Sequence, residues 1–428
     1  MNKIQYAIDK ERAILVGVKL PYIGEEKIEE FLSELEALSY TAGAEVINKF
    51  IQKRDKIDPA YFIGKGFALK LKEFIESHNI NLVIFDDDLT PSQTTNLEDI
   101  FNVKVIDRTG LILDIFAMHA RTNIAKIQVE LAQLEYLLPR LVGRGKEFMQ
   151  QQGGIGTRGP GETKLEVDRR RIKKRISDLK KKLKEIEKTR IIQRQKRDNL
   201  FKISIVGYTN VGKSSLLNLL SHSDVLVENK LFATLDATTR KVKLPDDSYA
   251  LFTDTVGFIR KLPHSLVESF KSTLEVTKEA DLILVLIDGS ASNINDQIKV
   301  VKNTLKEIGV DNTIKMLYVF NKIDKLSEED LIVLENKYKD AVFISVKQKI
   351  NIDKLLDKIV ELKNLYYESI FVTYNYDFYK YLERNKDRFD AVSIVEKEGE
   401  LFIYIKYKKE LKEYILNIID KWEVRVDQ

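Results

Sequence analysis

Residues 207–214 read Gly207-Tyr208-Thr209-Asn210-Val211-Gly212-Lys213-Ser214. This stretch decides the fold, because it fits the phosphate-binding pattern of Gly, four residues, then Gly-Lys-Ser/Thr. An alternating apolar run at 201–206 precedes it and an apolar helical run at 216–220 follows it. Glycines let backbone N–H groups point at an anion, and the helix N-terminus adds its positive end. Lys213 supplies a mobile charge for phosphates and the Ser214 hydroxyl is a ligand for Mg²⁺, so the stretch predicts a nucleoside triphosphate site in an α/β domain.

The composition predicts a soluble globular protein with two to four domains. The chain has 428 residues, of which 44% are hydrophobic and 32% are charged. It has no cysteine, which excludes disulfides, cysteine zinc sites and thiol catalysis. The four histidines show no metal-ligand spacing. No apolar run approaches membrane-spanning length and the first twenty residues lack a signal-peptide core, so we expect a cytoplasmic protein without a membrane span.

Residues 1–121 alternate strand-like and helix-like segments, which predicts a small N-terminal α/β domain. Two motifs in this region admit more than one interpretation. Gly64-Lys65-Gly66 precedes a predicted helix and resembles a short anion-binding loop, which leaves a second nucleotide site open. Asp86-Asp87-Asp88 follows a predicted strand at 81–86 and fits either a cation site or, as the simpler interpretation, a solvated loop.

Residues 122–198 predict a projecting antiparallel helical hairpin. Apolar residues alternate three and four apart from Ile124 to Leu141 and again from Ile172 to Ile186, which indicates two helices with matching narrow seams. The tip loop, 143–161, is rich in glycine and carries cationic and amide side chains suited to phosphates and unpaired bases. The second helix is strongly basic. We predict RNA contacts from Arg144, Lys146, Phe148, Gln151, Arg158, Arg169, Arg170 and Arg171.

Residues 199–366 predict the nucleotide-binding domain. Asp254-Thr255-Val256-Gly257 ends a predicted strand, where a carboxylate can reach Mg²⁺ through water and a glycine N–H can meet the γ-phosphate. Asn321-Lys322-Ile323-Asp324 ends another strand, and a carboxylate there can accept hydrogen bonds from guanine N1–H and its 2-amino group. Ser345-Val346-Lys347 suits the edge of the base. The remaining nucleotide-binding candidates are Ser215, Phe232, Ala233, Thr234, Leu235 and Asp236. The segments that follow strand ends are expected at the carboxyl edge of one sheet.

Residues 367–428 read strand, helix, strand, strand, helix, which predicts a small C-terminal α+β domain. This region is dense in tyrosine and lysine and lacks a catalytic constellation. Its role stays open at the level of sequence.

The ordered motifs resemble the HflX family of translation-factor-class GTPases. They are GYTNVGKS at 207–214, FATLDATTR at 232–240, DTVGF at 254–258 and NKID at 321–324. Residues 107–141 and the glycine-rich segment 153–172 resemble that family's N-terminal domain and helical linker, so the likeness covers roughly residues 10–365.

The resemblance implies a Ras-like P-loop G domain that hydrolyses GTP to GDP with Mg²⁺. By resemblance, Ser214 and Thr234 ligate the metal, Asp254 reaches it through water, and Lys213, Thr234 and Gly257 act in catalysis. The family binds the large ribosomal subunit and its rRNA and dissociates stalled or idle ribosomes, so we expect the same partners for this chain, acting as a monomer. Two departures are Val346-Lys347 after Ser345, where Ala is usual, and Ala237, where proline is common.

Phe258 follows Gly257 where many GTPases place a glutamine that orients the attacking water. An apolar ring makes no such hydrogen bond, which predicts slow intrinsic hydrolysis assisted by the ribosome. Asn210 matches a position that helps hold K⁺ in some related GTPases, which leaves K⁺ dependence open.

Two alternative functions stay open. One is a GTPase that assists assembly of the large ribosomal subunit. The other, from a different class, is an RNA-binding scaffold in which the nucleotide only gates attachment.

Overall fold

The computed structural model describes residues 11–141, 160–195, 200–222, 231–232, 235, 237–261, 275–311 and 313–427. The chain divides into two compact units. The first comprises 1–187, 228–236 and 259–272, and the second comprises 188–227, 237–258 and 273–428. Several predicted contact residues lie outside the described residues: Arg144, Lys146, Phe148, Gln151, Arg158, Ala233, Thr234 and Asp236.

The first unit contains a four-stranded parallel sheet with the order β2-β1-β3-β4. The strands are β1 (Arg12–Lys19), β2 (Glu45–Lys53), β3 (Leu82–Phe85) and β4 (Lys104–Asp107). The helices between and after them are α1 (Glu25–Thr41), α2 (Lys65–Ser77), α3 (Pro91–Phe101) and α4 (Arg108–His119). This confirms the predicted α/β alternation. The sequence pattern did not reveal β2, because no residue of this edge strand is fully buried.

The helical hairpin consists of α5 (Asn123–Arg140) and α6 (Pro160–Gln195). Its seam is an apolar cluster to which both helices contribute: Ile127, Leu131, Leu134, Ile176, Leu179, Leu183 and Ile186. Beside the seam, Arg175 pairs with Glu130 at 2.6 Å and Lys180 pairs with Glu135 at 2.7 Å. Glu130 and Arg175 occupy the same flanking position in their heptads, and Glu135 and Lys180 occupy the other one. Flanking positions of the same kind meet when two helices run antiparallel.

One boundary of the hairpin differs from the prediction. The tip loop was predicted to extend to Gly161, but α6 already begins at Pro160. Proline is favoured in the first turn of a helix because its missing N–H needs no partner there.

The second unit contains a six-stranded sheet with the order β10-β9-β8-β5-β7-β6, in which only β6 runs antiparallel to its neighbour. The strands are β5 (Phe201–Gly207), β6 (Thr238–Lys243), β7 (Tyr249–Asp254), β8 (Leu282–Asp288), β9 (Lys315–Asn321) and β10 (Val342–Phe343). Its helices are α7 (Lys213–Leu220), α8 (Ile294–Glu307), α9 (Glu328–Lys337) and α10 (Ile352–Asn364). Because β5, β7, β8 and β9 are parallel, Gly207, Asp254, Asp288 and Asn321 come to one sheet edge.

The same unit ends in an antiparallel sheet with the order β12-β13-β11-β14. Its elements are β11 (Tyr367–Thr373), α11 (Tyr376–Arg384), β12 (Ala391–Lys397), β13 (Glu400–Lys408), α12 (Lys412–Lys421) and β14 (Val426–Asp427). This confirms the predicted α+β class of the C-terminal region.

A buried lysine joins this region to the six-stranded sheet. Lys363, near the end of α10, has a fully buried side chain. Its Nζ lies 2.7 Å from Asp390 Oδ1, just before β12, and 3.3 Å from Asp246 Oδ2, in the turn between β6 and β7. Buried charges are stable only when paired, so Lys363 fixes three separate chain segments against one another.

Replacing Lys363 with methionine is expected to destabilise the protein by about 3–5 kcal/mol, because Asp390 would stay buried without its main cationic partner. Thermal and urea unfolding measure this loss. The matched control is Lys358→Met, which breaks an ion pair with Glu361 on the surface of the same helix and should change stability by less than about 1 kcal/mol. Equal effects of the two substitutions would show that the buried pairs add nothing.

Candidate nucleotide-binding site

The phosphate loop connects the end of β5 to the start of α7. Asn210 has φ 59° and Gly212 has φ 100°, so the chain turns through the left-handed region twice within three residues. A Cβ on Gly212 would lie 2.5 Å from Asn321 Nδ2, which leaves room only for glycine. The loop therefore curls tightly just before α7, whose N-terminus carries a positive partial charge suited to phosphate.

Lys213 is buried beneath this loop, with a relative exposure of 6%. Its Nζ donates hydrogen bonds to the carbonyl oxygens of Tyr208, at 2.9 Å, and Gly207, at 3.3 Å. Burial lowers the pKa of Lys213 to about 8, although the charge of Asp254 opposes this shift. The ammonium is thus poorly solvated, and an anionic phosphate chain is the ligand that would stabilise it.

Affinity for a non-hydrolysable GTP analogue is expected to fall as the pH rises above the Lys213 pKa of about 8. A bound polyphosphate favours the charged ammonium, so above this pH binding must take up a proton and Kd increases up to about tenfold per pH unit. Equilibrium titrations at several pH values measure the slope. Lys213→Met removes the titrating group and should bind weakly with a flatter profile; parallel profiles for the two proteins would contradict the assignment to Lys213.

Ser214 and Asp254 form the oxygen-rich part of the site. The Ser214 hydroxyl donates to Asp254 Oδ2 at 2.6 Å, and Asp254 is 1% exposed at the end of β7. A hydroxyl and a carboxylate side by side match the oxygen ligands that Mg²⁺ takes directly or through water. These residues therefore fit a Mg²⁺ ion beside the phosphate loop.

Gly257 packs directly on the phosphate loop. A Cβ at this position would lie 3.0 Å from Lys213 Nζ and 2.9 Å from Thr209 Cα. The next residue, Phe258, donates its N–H to Gly207 at 3.0 Å and accepts from the Thr209 N–H at 2.8 Å. Its ring is buried, with 1% exposure. The Gly257 backbone thus lies next to the ammonium that would meet the terminal phosphate.

Asn321, Asp324 and Ser345 form a second polar cluster at the same edge. Ser345 is buried and donates to Asp324 Oδ1 at 2.6 Å. Asn321 accepts from the Val346 N–H at 3.0 Å and donates to the Val211 carbonyl oxygen at 2.8 Å. These bonds join the predicted base-binding segments to each other and to the phosphate loop. In this chain, where Val346-Lys347 follows Ser345, the hydrogen bond between Ser345 and Asp324 is present.

Asp288 belongs to this cluster and was not predicted. Lys322 Nζ lies 2.7 Å from Asp288 Oδ2 and donates to the Asn210 carbonyl oxygen at 2.8 Å. Burial alone would raise the pKa of Asp288, but hydrogen bonds from Lys322 and Ser290 lower it below its usual value. Asp288 therefore fixes the lysine expected to lie along the base. The available signal was its place at the end of a continuous apolar strand.

Three family models match the chain in succession. They are described as GTP-binding GTPase N-terminal, over residues 29–117, GTP-binding GTPase Middle Region, over 119–197, and 50S ribosome-binding GTPase, over 202–322. The GTPase HflX of Caldanaerobacter subterraneus subsp. tengcongensis is 48% identical over 419 residues, which is 97% of this chain and 95% of the relative. The chain belongs to the HflX family of GTPases.

A second HflX protein supports the same assignment. The HflX of Escherichia coli K12 is 42% identical over 355 residues, covering 82% of each chain. A solved GTP-binding protein from Sulfolobus solfataricus in complex with GDP is 27% identical, with a TM-score of 0.44 over 83% of this chain and 99% of that protein. As an HflX GTPase with an intact phosphate loop, the protein is an enzyme that hydrolyses GTP.

Most of the predicted nucleotide-binding residues that the structure describes lie in the second unit, and their contact with a nucleotide stays a prediction. The described ones at the sheet edge are Gly207, Tyr208, Thr209, Asn210, Val211, Gly212, Lys213, Ser214, Ser215, Asp254, Thr255, Val256, Gly257, Asn321, Lys322, Ile323, Asp324, Ser345, Val346 and Lys347. Phe232 and Leu235 are buried apolar residues of the first unit, where the Phe232 ring meets Phe116 edge-on at 4.7 Å. Their nucleotide contact stays a prediction.

Two alternative sites in the first unit of this HflX protein have ordinary structural explanations. The Gly64 N–H, at the start of α2, donates to the Gln52 side chain at 2.9 Å. Asp86 is fully buried and pairs with Arg108 and Lys261, so the solvated-loop interpretation is wrong for this residue. Among the described residues, no cluster of three or more His, Cys, Asp or Glu side chains is arranged for a metal ion. Within the described ranges of the whole chain, no helix has the length and apolarity needed to cross a membrane.

Proposed function

We propose that the protein binds the large ribosomal subunit and dissociates stalled or idle ribosomes in a GTP-dependent cycle. The observation that carries this proposal is the basic face of α6, which the hairpin seam leaves exposed. Arg170 and Arg171 have side-chain exposures of 80% and 79%, and their carboxylate contacts at 3.9 and 3.7 Å are with residues of the same helix. Exposed guanidinium groups of this kind suit the phosphates of RNA. The match of 202–322 to a 50S ribosome-binding GTPase model supports the large subunit as partner.

In this proposal the sheet-edge site binds GTP with Mg²⁺. Ser214 would ligate the metal, Asp254 would reach it through water, and Thr234 would complete the set when GTP is bound. When bound, Mg²⁺ neutralises charge that develops on the phosphate oxygens. Lys213 stabilises the β- and γ-phosphates, and the Gly257 N–H reports whether the γ-phosphate is present. GTP would order the segments around Thr234 and Gly257 in the G domain, 199–366. This would fix the N-terminal domain, 1–121, and the hairpin, 122–198, for insertion into the large subunit, and hydrolysis would release them. The role of the C-terminal domain, 367–428, stays open.

Phe258 indicates which part of the catalytic machinery this protein does not supply, namely a side chain that orients the attacking water. The ring of Phe258 is buried, and its backbone forms hydrogen bonds with the phosphate loop. Because the ring is apolar, this side chain offers no hydrogen bond to an attacking water. Intrinsic hydrolysis should be slow and should accelerate on the ribosome. Fast turnover by the isolated protein, unchanged by ribosomal subunits, would contradict this part of the proposal.

Light scattering of assembled ribosomes tests the function. The protein is mixed with ribosomes and GTP, a non-hydrolysable GTP analogue or ATP. A fall in scattering with GTP and with the analogue, but not with ATP, supports dissociation by binding, followed by hydrolysis that recycles the factor. If scattering stays constant while the protein co-sediments with large subunits, the assembly-GTPase alternative gains support. RNA binding that needs no hydrolysis would favour the scaffold.

The triple substitution of Arg169, Arg170 and Arg171 by alanine is expected to weaken binding to large subunits. Loss of three phosphate contacts should make the negative slope of log affinity against log salt shallower by about 2–3. Co-sedimentation at several salt concentrations measures this slope. A matched control removes three exposed lysines of the second unit, Lys299, Lys306 and Lys354, with the same change in net charge. Equal losses for both triples would mean that net charge, rather than the α6 surface, determines binding.

A further inference from the structure

Arg260 and Lys261, which follow Gly257 closely in sequence, belong to the first unit and form ion pairs there. Lys261 Nζ lies 2.6 Å from Asp86 Oδ2 and 2.5 Å from Asp87 Oδ1. Asp86 is fully buried at the end of the β3 strand region, and Lys261 is about one-third exposed. Lys261 also has φ 52°, a left-handed conformation that costs a non-glycine residue about 1 kcal/mol or more. The ion pairs hold the chain in this conformation.

The pairs continue into a closed network. Asp86 Oδ1 lies 2.7 Å from Arg108 Nη1, and the other guanidinium nitrogen of the buried Arg108 pairs with Glu34. Glu34 in turn lies 3.2 Å from Arg260, whose guanidinium is 4.2 Å from the centre of the Phe31 ring. The network thus runs from Lys261 through the first unit and returns to Arg260, its neighbour in sequence. Partly buried charges of this kind have few alternative arrangements, because each broken pair leaves a desolvated charge.

The same segment is tied to the phosphate loop on its other side. Phe258 forms two backbone hydrogen bonds with that loop, and only the buried Ile259 separates Phe258 from Arg260. Gly257 is therefore linked to Arg260 through only Phe258 and Ile259 along the chain. A γ-phosphate that binds the Lys213 ammonium needs space that the Gly257 backbone borders, since a Cβ on Gly257 would already lie 3.0 Å from that nitrogen.

We propose that Arg260 and Lys261, held by Glu34, Asp86 and Arg108, are positioning residues that set the place of Gly257 and couple the γ-phosphate to the first unit. The proposal rests on the nucleotide site described above and does not depend on ribosome dissociation. The network stabilises the position of Gly257 close to Lys213, so the γ-phosphate binds against it. GDP lacks that phosphate and does not work against the network.

Lys261→Met in the full-length protein tests this coupling. Affinity for a non-hydrolysable GTP analogue should increase by about fivefold or more, while affinity for GDP should stay within about twofold of wild type. Lys261→Arg, which keeps the charge, should restore the wild-type ratio of the two affinities. The control Lys53→Met breaks a lysine pair with Glu25 on the exposed surface of the same unit and should leave both affinities unchanged. An equal change for the two nucleotides, no change, or weaker analogue binding would overturn the proposal.

Hydrogen exchange provides a second measurement that requires no substitution. Because coupling is reciprocal, the amides of 84–88 and 108–113 should exchange at different rates with GDP and with the GTP analogue. This difference should disappear in Lys261→Met. Identical exchange in the two nucleotide states of the unaltered protein would also overturn the proposal. Both experiments omit ribosomes, so their failure would leave the proposed ribosomal function untested and standing.

Discussion

Asp324→Asn is expected to change the base that the site accepts from guanine to xanthine. The Asp324 carboxylate is oriented by the Ser345 hydroxyl, which donates to Oδ1 at 2.6 Å. Guanine presents two donors to this edge, N1–H and the 2-amino group, whereas xanthine presents one donor and a carbonyl oxygen. An asparagine amide matches xanthine and leaves the guanine amino group facing another N–H donor. Sites built around such hydrogen bonds discriminate strongly, so affinity for GDP should fall on the order of 10³-fold.

Equilibrium binding of GDP and xanthosine diphosphate to both proteins measures this exchange. The substitution should lower GDP affinity and raise xanthosine diphosphate affinity, because the phosphate loop still binds the shared diphosphate. Asp330→Asn is the matched control, since Asp330 lies in the first turn of α9, a few residues further along the chain, and its contact is the Ser327 hydroxyl. Loss of affinity for both nucleotides would indicate that Asp324 only maintains local structure.

The nucleotide site was largely predictable because its determinants are local. Each segment combines a strand, a turn and a helix start within about ten residues, and parallel strands bring their carboxyl ends together whatever the remaining chain does. The hairpin was predictable for a similar reason, since the two seams have matching heptad patterns. The start of α6 was missed because the first turns of this helix lack the apolar periodicity that marks the seam.

Contacts between distant residues were not predictable. Lys261 and Asp86 are 175 residues apart, and nothing in either neighbourhood identifies the other. The Asp86-Asp87-Asp88 run suggested solvent or a metal because carboxylates alone do not reveal which cations fold against them. Lys363 gave no signal either, since its position in α10 resembles that of any lysine in an amphipathic helix. In each case the charge is stabilised by tertiary packing, which one sequence does not specify.

Lys213→Met is expected to abolish most GTP hydrolysis without destabilising the protein. The ammonium is a preorganised charge at the phosphate chain, and removing such a group from a water-poor site lowers kcat/KM on the order of 10³-fold. Methionine keeps most of the apolar stem that packs under the loop. Steady-state phosphate release and nucleotide titration measure the loss. Lys243→Met, which removes an exposed lysine paired with Asp247, should hydrolyse GTP at the wild-type rate.

The stability of the same variant separates this role from a structural one. Burial lowers the pKa of Lys213 from 10.5 to about 8, so the charged lysine costs the folded state about 3 kcal/mol below pH 8, and this cost diminishes as the pH rises toward 10.5. Without nucleotide at pH 7, Lys213→Met should therefore unfold at the same temperature as wild type or at a higher one. A lower unfolding temperature together with lost activity would mean that the ammonium holds the loop together through Tyr208 and Gly207. Higher stability with lost activity would identify a charge kept in an unfavourable place because the phosphates need it there.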